Sequence, residues 1–189
     1  MKIRYMNSQI EFHEKYMDDF LNADEEGMKI AVMDRTEALY GGDWTIDKEW
    51  CDENGVPYSQ GKLIQNTGCI IAVKGNVLLD IKKKFTGGEC LCDIFSKKLV
   101  QYFKDRGMNS VRQDNNDVLV DDFKVASGAE VTLPGGYHYI AYQISINQDL
   151  DIIKHACLKP MVKVPKALSE YGITTEEMVK FCEDYWLNV

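Results

Sequence analysis

The chain has 189 residues, 45% of them apolar and 28% charged, which fits one globular domain able to bury a sizeable core without a disulfide or metal to hold it. Lysine and arginine number 22 against 30 aspartates and glutamates, a net charge of −8, so nucleic acid is a poor electrostatic match. No apolar run reaches the roughly 20 residues of a membrane span, the N-terminus lacks the apolar core of a signal peptide, and six scattered cysteines without a CxxC suit a reducing compartment: a cytoplasmic protein with no metal site is expected.

Residues 9–22 are predicted helical, with Ile10, Met17, Phe20 and Leu21 on one face, and Met28–Asp34 is predicted as a strand. A short helix near Thr45 and Asp47 stops at Asn54-Gly55, after which Val56 leads into an extended stretch. "GCIIAVKGNVLLDIKKK" reads as two apolar runs joined by Lys74-Gly75-Asn76, a β-hairpin, and "TGGE" (Thr86–Glu89) as a Gly-Gly loop set by turn chemistry. An amphipathic helix follows in "DIFSKKLVQYFKDRGM", with Ile94, Leu99, Tyr102 and Phe103 as its stripe and Gly107 as its stop.

The stretch "NDVLVDDFKVASGA" is a hairpin that reverses through Asp121-Asp122 and returns carrying one lysine, Lys124, ahead of small residues. Lysines in strands are mostly solvated. A cation held where a ligand can approach the backbone is also placed to meet an anionic substrate group. "YHYIAYQISIN" is a further strand, Asp149–His155 a short helix, and the basic connector Lys159, Lys163, Lys166 a solvated linker or a phosphate neutraliser. Thr174 or Thr175 caps a C-terminal helix led by Glu176 and Glu177. The element order αβαββαβββαα predicts one α+β domain over residues 1–189, with a mixed or antiparallel sheet covered by helices.

"ENGVPYSQGKLIQNTGCIIAVKGN", "IFSKKLVQYFKDRGM", "NDVLVDDFKVASGA", "INQDLDII" and "ALSEYGITTEEMV" follow one another in the order of their counterparts in lipoate-protein ligases and octanoyltransferases, which the chain resembles from about Met28 to its end. The resemblance implies a catalytic domain like that of biotin protein ligases, with the class II aminoacyl-tRNA synthetase-like α+β fold and without the accessory C-terminal domain of some ligases. It implies ATP and Mg²⁺ with lipoate or octanoate as ligands, and a lipoyl-type acceptor protein domain as partner.

Asn116, Asp117, Lys124, Gly128 and Ala129 match the family's Asn-Asp-Leu, lysine, Gly and Ala pattern, which implies that Lys124 contacts the activated acyl group. A fixed ammonium there stabilises the carbonyl oxygen's developing charge more than it stabilises the ground state. In the Gly-rich loop only Gly68 and the pair Gly75-Asn76 keep the pattern. Gln60-Gly61-Lys62 stands where the family has two arginines, Asn66-Thr67-Gly68 where it has three glycines, and Ala72-Val73 where it has His-Asp. Cys157 is placed like the thioester-forming cysteine of octanoyltransferases but lacks its flanking Pro and Gly, which favours a ligase without a covalent intermediate. His138 reads as a strand histidine, and Cys90-x-Cys92 as a lone pair with no zinc-ligand spacing. A family member that has lost catalysis and binds a ligand or protein partner, and a ligase for a different carboxylic acid, remain the alternatives.

Overall fold

Strands that are apolar on both faces need cover on both faces, and the computed structural model, which describes residues 2–84, 88–113, 116–160 and 163–188, supplies it. β1 (Lys2–Met6), β2 (Gly27–Val32), β6 (Val77–Lys84), β7 (Ser110–Arg112), β8 (Val118–Val120), β9 (Phe123–Leu133) and β10 (Tyr137–Ile144) form a seven-stranded sheet in the order β1-β2-β6-β10-β9-β8-β7. Within it β1 and β2 run parallel and the other pairs antiparallel. β3 (Glu37–Tyr40), β4 (Tyr58–Gln60) and β5 (Cys69–Ala72) form a second sheet in the order β4-β3-β5. A mixed sheet with flanking helices is the α+β architecture that the element order predicts.

The pleat sorts the large sheet's two faces. Met28, Ile30, Val77, Leu79, Ile81, Ile140, Tyr142 and Ile144 alternate along their strands and pack under α4 (Leu91–Lys104) and α6 (Thr175–Leu187). The buried stripe of α4 is Leu91, Phe95, Leu99, Val100 and Phe103, with Ile94 and Tyr102 at its margin. Caps fall where side chains offer an acceptor: Asp47 takes the Trp50 N–H ahead of α3 (Lys48–Glu53), Asp149 that of Ile152 ahead of α5 (Leu150–Ala156), and Thr174 forms a capping box with Glu177 on α6.

On the opposite face buried polar side chains stand beside apolar Ala31 and Leu78. The Lys29 ammonium pairs with the Asp80 carboxylate and Gln9 Oε1, and Asp80 also accepts from the Tyr139 hydroxyl. Lys82 Nζ donates to the carbonyls of Leu21 (2.7 Å), Phe20 (3.3 Å) and Ala23. Those are the orphan carbonyls at the end of a helical stretch made of α1 (Gln9–Glu11), a π turn (Phe12–Tyr16) and α2 (Met17–Asn22). At its other end, buried Glu37 accepts from Ser8 Oγ (2.7 Å) and from the Gln9 and Ile10 N–H groups (2.9 Å each). Both termini of this stretch are therefore fastened to strands.

The hairpin predicted across Lys74-Gly75-Asn76 is corrected. The turn exists, with Asn76 N donating to the Val73 carbonyl at 3.0 Å, but β5 pairs with β3 and β6 pairs with β2 and β10. Both edges of β6 are taken, so β5 has no edge to join there. Thr86 and Gly87 of the predicted Gly-Gly loop lie outside the described residues. No helix among the described residues is long and apolar enough to cross a membrane.

His13 gives the fold a pH dependence. Burial pushes its imidazole down to about 4, Asp80 acts against this, and Nδ1 accepts from the Lys62 N–H at 3.1 Å. The unfolded chain takes up this proton near pH 6.5 and the folded chain refuses it until about pH 4, so stability is lost as pH falls through that window. Denaturant melts at pH 7.5 and pH 5 are expected to differ by about 2 kcal/mol more in the parent than in His13→Gln.

Candidate functional site

The hairpin that carries Lys124 is built by its turn. Asp121 and Asp122 sit at φ 50° and 68°, the paired left-handed conformation that matches strand twist in a two-residue hairpin. Beyond it a bulge lets β9 take two steps against one on β8, so that Val118 faces Ala126 and Leu119 faces Lys124. On its other edge Lys124 meets the basic connector: its N–H donates to the Val164 carbonyl (3.1 Å), and its carbonyl accepts from the Lys166 N–H (3.0 Å). The backbone of Lys124 is thus held on both sides.

Its side chain is held as well. Lys124 Nζ lies 3.1 Å from Oδ1 of Asp117, whose side chain is only 6% exposed. Asn116 supports the loop instead. At φ 64° it shapes the turn into β8, its Oδ1 accepts from Arg112 (2.8 Å), and its carbonyl accepts from the Tyr142 hydroxyl. The Asn-Asp pair therefore contributes one residue to the lysine and one to the loop.

Lys124 and Asp117 open onto a cavity of about 320 Å³ between the two sheets. Cys69, Ile70 and Ile71 of β5 form one wall, and Ala126, Ser127 and Gln143 of β9 and β10 the facing one. Gln143 Nε2 spans the gap to the Ile71 carbonyl at 3.1 Å. Ile153 and Cys157 from the end of α5, with Lys159 and Lys163 of the connector, complete it. Gln148 also lines the cavity, and its buried Oε1 has no hydrogen-bond partner among the described residues. Lys166 turns away, over the rings of Tyr171 (4.5 Å) and Phe123 (5.0 Å).

Lys124 and Cys157, distant in sequence, thus share one wall-to-wall space. Cys157 sits at the carbonyl end of α5, with Asp47 N donating to Ala156 O (3.0 Å) and Leu158 N to Thr45 O (3.1 Å) on either side. Its thiol is pulled down to about 6, by a hydrogen bond from the Cys69 thiol first and then by the backbone and charge of Lys159, against the opposing effect of burial. The partner moves the other way: sharing its proton with Cys157, and then burial, hold the Cys69 thiol well up. His155 is not the base that adjacency in sequence suggests, since it stacks on Trp50 with ring centroids 5.5 Å apart. His138 faces Glu130 across the β9–β10 pair, Nδ1 to Oε1 2.5 Å. Glu130 also receives the Cys90 thiol at 2.6 Å, away from the cavity.

The glycines predicted to meet ligand each have a structural setting. A Cβ on Gly128 would stand 2.0 Å from the Tyr142 ring, so this glycine makes room for a cross-strand aromatic, and neither it nor Ala129 lines the cavity. Gly75, at φ 88°, and Asn76, whose Oδ1 accepts from the Asn147 N–H at 2.8 Å, belong to the turn between the sheets. The space beside Gly61 and Gly68 is filled by the Ile64 side chain, 2.2 and 2.6 Å from their would-be Cβ atoms, and the space beside Gly41 by the Gln65 carbonyl at 1.9 Å. A phosphate cradle needs that space open, with N–H groups facing it. Here the loop packs on itself, and among the described residues no group of three or more His, Cys, Asp or Glu could hold a metal. The space beside these glycines is not an open phosphate cradle.

The proton-sharing pair has a direct consequence. Cys69→Ala removes the first cause of the lowered Cys157 thiol, so the pH midpoint for alkylation of Cys157 by iodoacetamide, followed by peptide mapping, is expected to move from about 6 toward the ordinary cysteine range. An unchanged midpoint would assign the acidity to Lys159 instead.

No protein-family model and no curated protein matches the sequence. Solved structures do. A bi-partite lipoate protein ligase from Thermoplasma acidophilum, studied with its E2 lipoyl domain, superposes with a TM-score of 0.75 at 11% identity, over 97% of this chain and 82% of that one. LipL1 of P. falciparum in complex with lipoate gives 0.73 at 16%, over 98% of this chain and 60% of that one. Lipoate-protein ligase A bound with ATP gives 0.74 at 11%, over 96% and 83%. The biotin protein ligase of Aquifex aeolicus lies further off, at 0.53 and 12%. The chain therefore has the fold of lipoate-protein and biotin protein ligases, the class II synthetase-like arrangement that the sequence predicts.

Proposed function

We propose that the protein is an acyltransferase that takes a medium-chain acyl group, octanoyl or lipoyl in type, onto Cys157 as a thioester and passes it to a lysine amine of an acceptor protein domain. The observation that carries this reading is the shared cavity: the Cys157 thiol and the Lys124 ammonium lie on the walls of one space whose sides include Ile70, Ile71 and Ile153. The Cys157 thiolate attacks the carbonyl carbon of a thioester donor. Charge gathers on the carbonyl oxygen, where the Lys124 ammonium, positioned by Asp117, stabilises it. The donor's C–S bond breaks, and its thiolate leaves. The acceptor amine then attacks the acyl-Cys157 carbonyl, the C–N bond forms, Cys157 leaves as thiolate and the amine loses its proton.

This reverses the preference for a ligase drawn from the residues flanking Cys157. A ligase route runs through an adenylate, and the self-packed loop at Gly61 and Gly68 gives no space for the phosphates. A lipoyl domain as acceptor is supported by the T. acidophilum ligase of the same fold, which was studied with its own.

Incubation with an octanoyl thioester, followed by intact-protein mass spectrometry, tests the reading. A hydroxylamine-sensitive octanoyl adduct is expected on the parent, independent of ATP and absent from Cys157→Ser. Octanoylation of an acceptor that requires ATP and survives Cys157→Ser would instead make the protein a ligase. Lys124→Ala removes a partner of a buried carboxylate, so it is best made in an Asp117→Asn background; there it is expected to slow adduct formation about 100-fold.

A further inference from the structure

Cys69 has no counterpart in the acyl-transfer chemistry above, yet it lines the same cavity as Cys157 and packs on the same hydrophobic cluster. Both thiols are free, both are half-buried, and both line the same cavity. Their backbones are fixed to one substructure: Cys69 pairs with Tyr40 on β3, and Cys157 bridges Ile46 a few residues further on. Both pack on the cluster formed by Ala38, Tyr40, Ile46 and Ile71. The backbones of both cysteines are thus fixed beside the small sheet.

We propose that Cys69 and Cys157 are an oxidative modification site, which a hydroperoxide converts to a disulfide across the cavity wall and a dithiol reductant reopens. The Cys157 thiolate attacks one oxygen of the hydroperoxide. An S–O bond forms, the O–O bond breaks, and the departing hydroxide or alkoxide takes up a proton as water or alcohol. The Cys69 sulfur then attacks the Cys157 sulfenic acid: the S–S bond forms, the S–O bond breaks, and the hydroxide leaves as water with the proton of Cys69. Two thiols are oxidised for each hydroperoxide reduced.

The other four cysteines do not compete. Cys51, Cys92 and Cys182 are buried, and Cys90 is held against Glu130. All four have their thiols pushed up, with burial the first cause in each, so Cys157 is the one cysteine of the six with a lowered thiol. The disulfide would remove both thiols from the cavity, and with them the acyl-accepting sulfur. The pairing goes beyond the acyl-transfer reading and needs no acyl donor, so either can fail without the other.

The test uses reduced full-length protein, freed of reductant and titrated with hydrogen peroxide at pH 7 without any acyl compound, then mapped by non-reducing peptide mass spectrometry. The expected result is loss of two thiols per chain, a single Cys69–Cys157 cross-linked peptide pair, and full recovery with dithiothreitol. In Cys69→Ser, Cys157 is expected to run on to the sulfinic acid, which dithiothreitol does not restore. A parent protein whose Cys157 reaches sulfinic acid as fast as the variant's, whose disulfide joins any other pair, or whose thiols survive peroxide overturns the proposal. Should Cys69→Ser fail to fold, the parent's peptide map and its reversal by dithiothreitol decide the matter alone.

Discussion

β6 has a hydrogen-bonded neighbour on each edge, β2 on one and β10 on the other, and most of the molecule follows from that saturation. Its odd positions Val77, Leu79 and Ile81 sit in the core beneath α4 and α6, while Asp80 and Lys82 reach the opposite face. Asp80 neutralises buried Lys29, and Lys82 collects the carbonyls that end α2. Because no edge of β6 is open, the chain before it must belong to another sheet. The Gly75-Asn76 turn makes that exit at φ 88°, and the divergence of β5 from the large sheet leaves the cavity between them. A simple hairpin at this point would have paired β5 with β6 and left no space for a ligand.

The cavity combines features that the chain as a whole lacks. The protein carries a net charge of −8, yet Lys124, Lys159 and Lys163 line this one space with a single carboxylate, Asp117. A local positive field in an acidic protein suits an anion or a developing oxyanion. At Cys157 the effect of Cys69, and then of the backbone and charge of Lys159, acts against burial. Ile64 and Gln65 fill the space beside Gly61, Gly68 and Gly41.

What could be read from the sequence was what is encoded locally. The Asp121-Asp122 reversal and its lysine, the capping box of α6 and the amphipathic α4 each carry their signal within a few residues. β3 escaped because its buried Glu37 looks like a surface charge until its partners Ser8, Gln9 and Ile10 are in place. Gly128 resembled a ligand-contact glycine, whereas its requirement comes from Tyr142 on the next strand. Cys69 drew no attention for the same reason: its partner lies on the far side of the sequence and meets it only through the small sheet and α5. Pattern within a window finds turns and caps; it does not find groups that packing alone brings together.

The central claim is that Lys124 and Cys157 act on one acyl carbonyl in one cavity. A crystal structure of the protein after reaction with an octanoyl thioester tests it most directly. The account predicts density continuous from Cys157 Sγ into an acyl chain lying along Ile70 and Ile71, with the carbonyl oxygen about 3 Å from Lys124 Nζ. An octanoyl group found attached to another residue, bound outside this cavity, or held with its carbonyl turned away from Lys124 would contradict it.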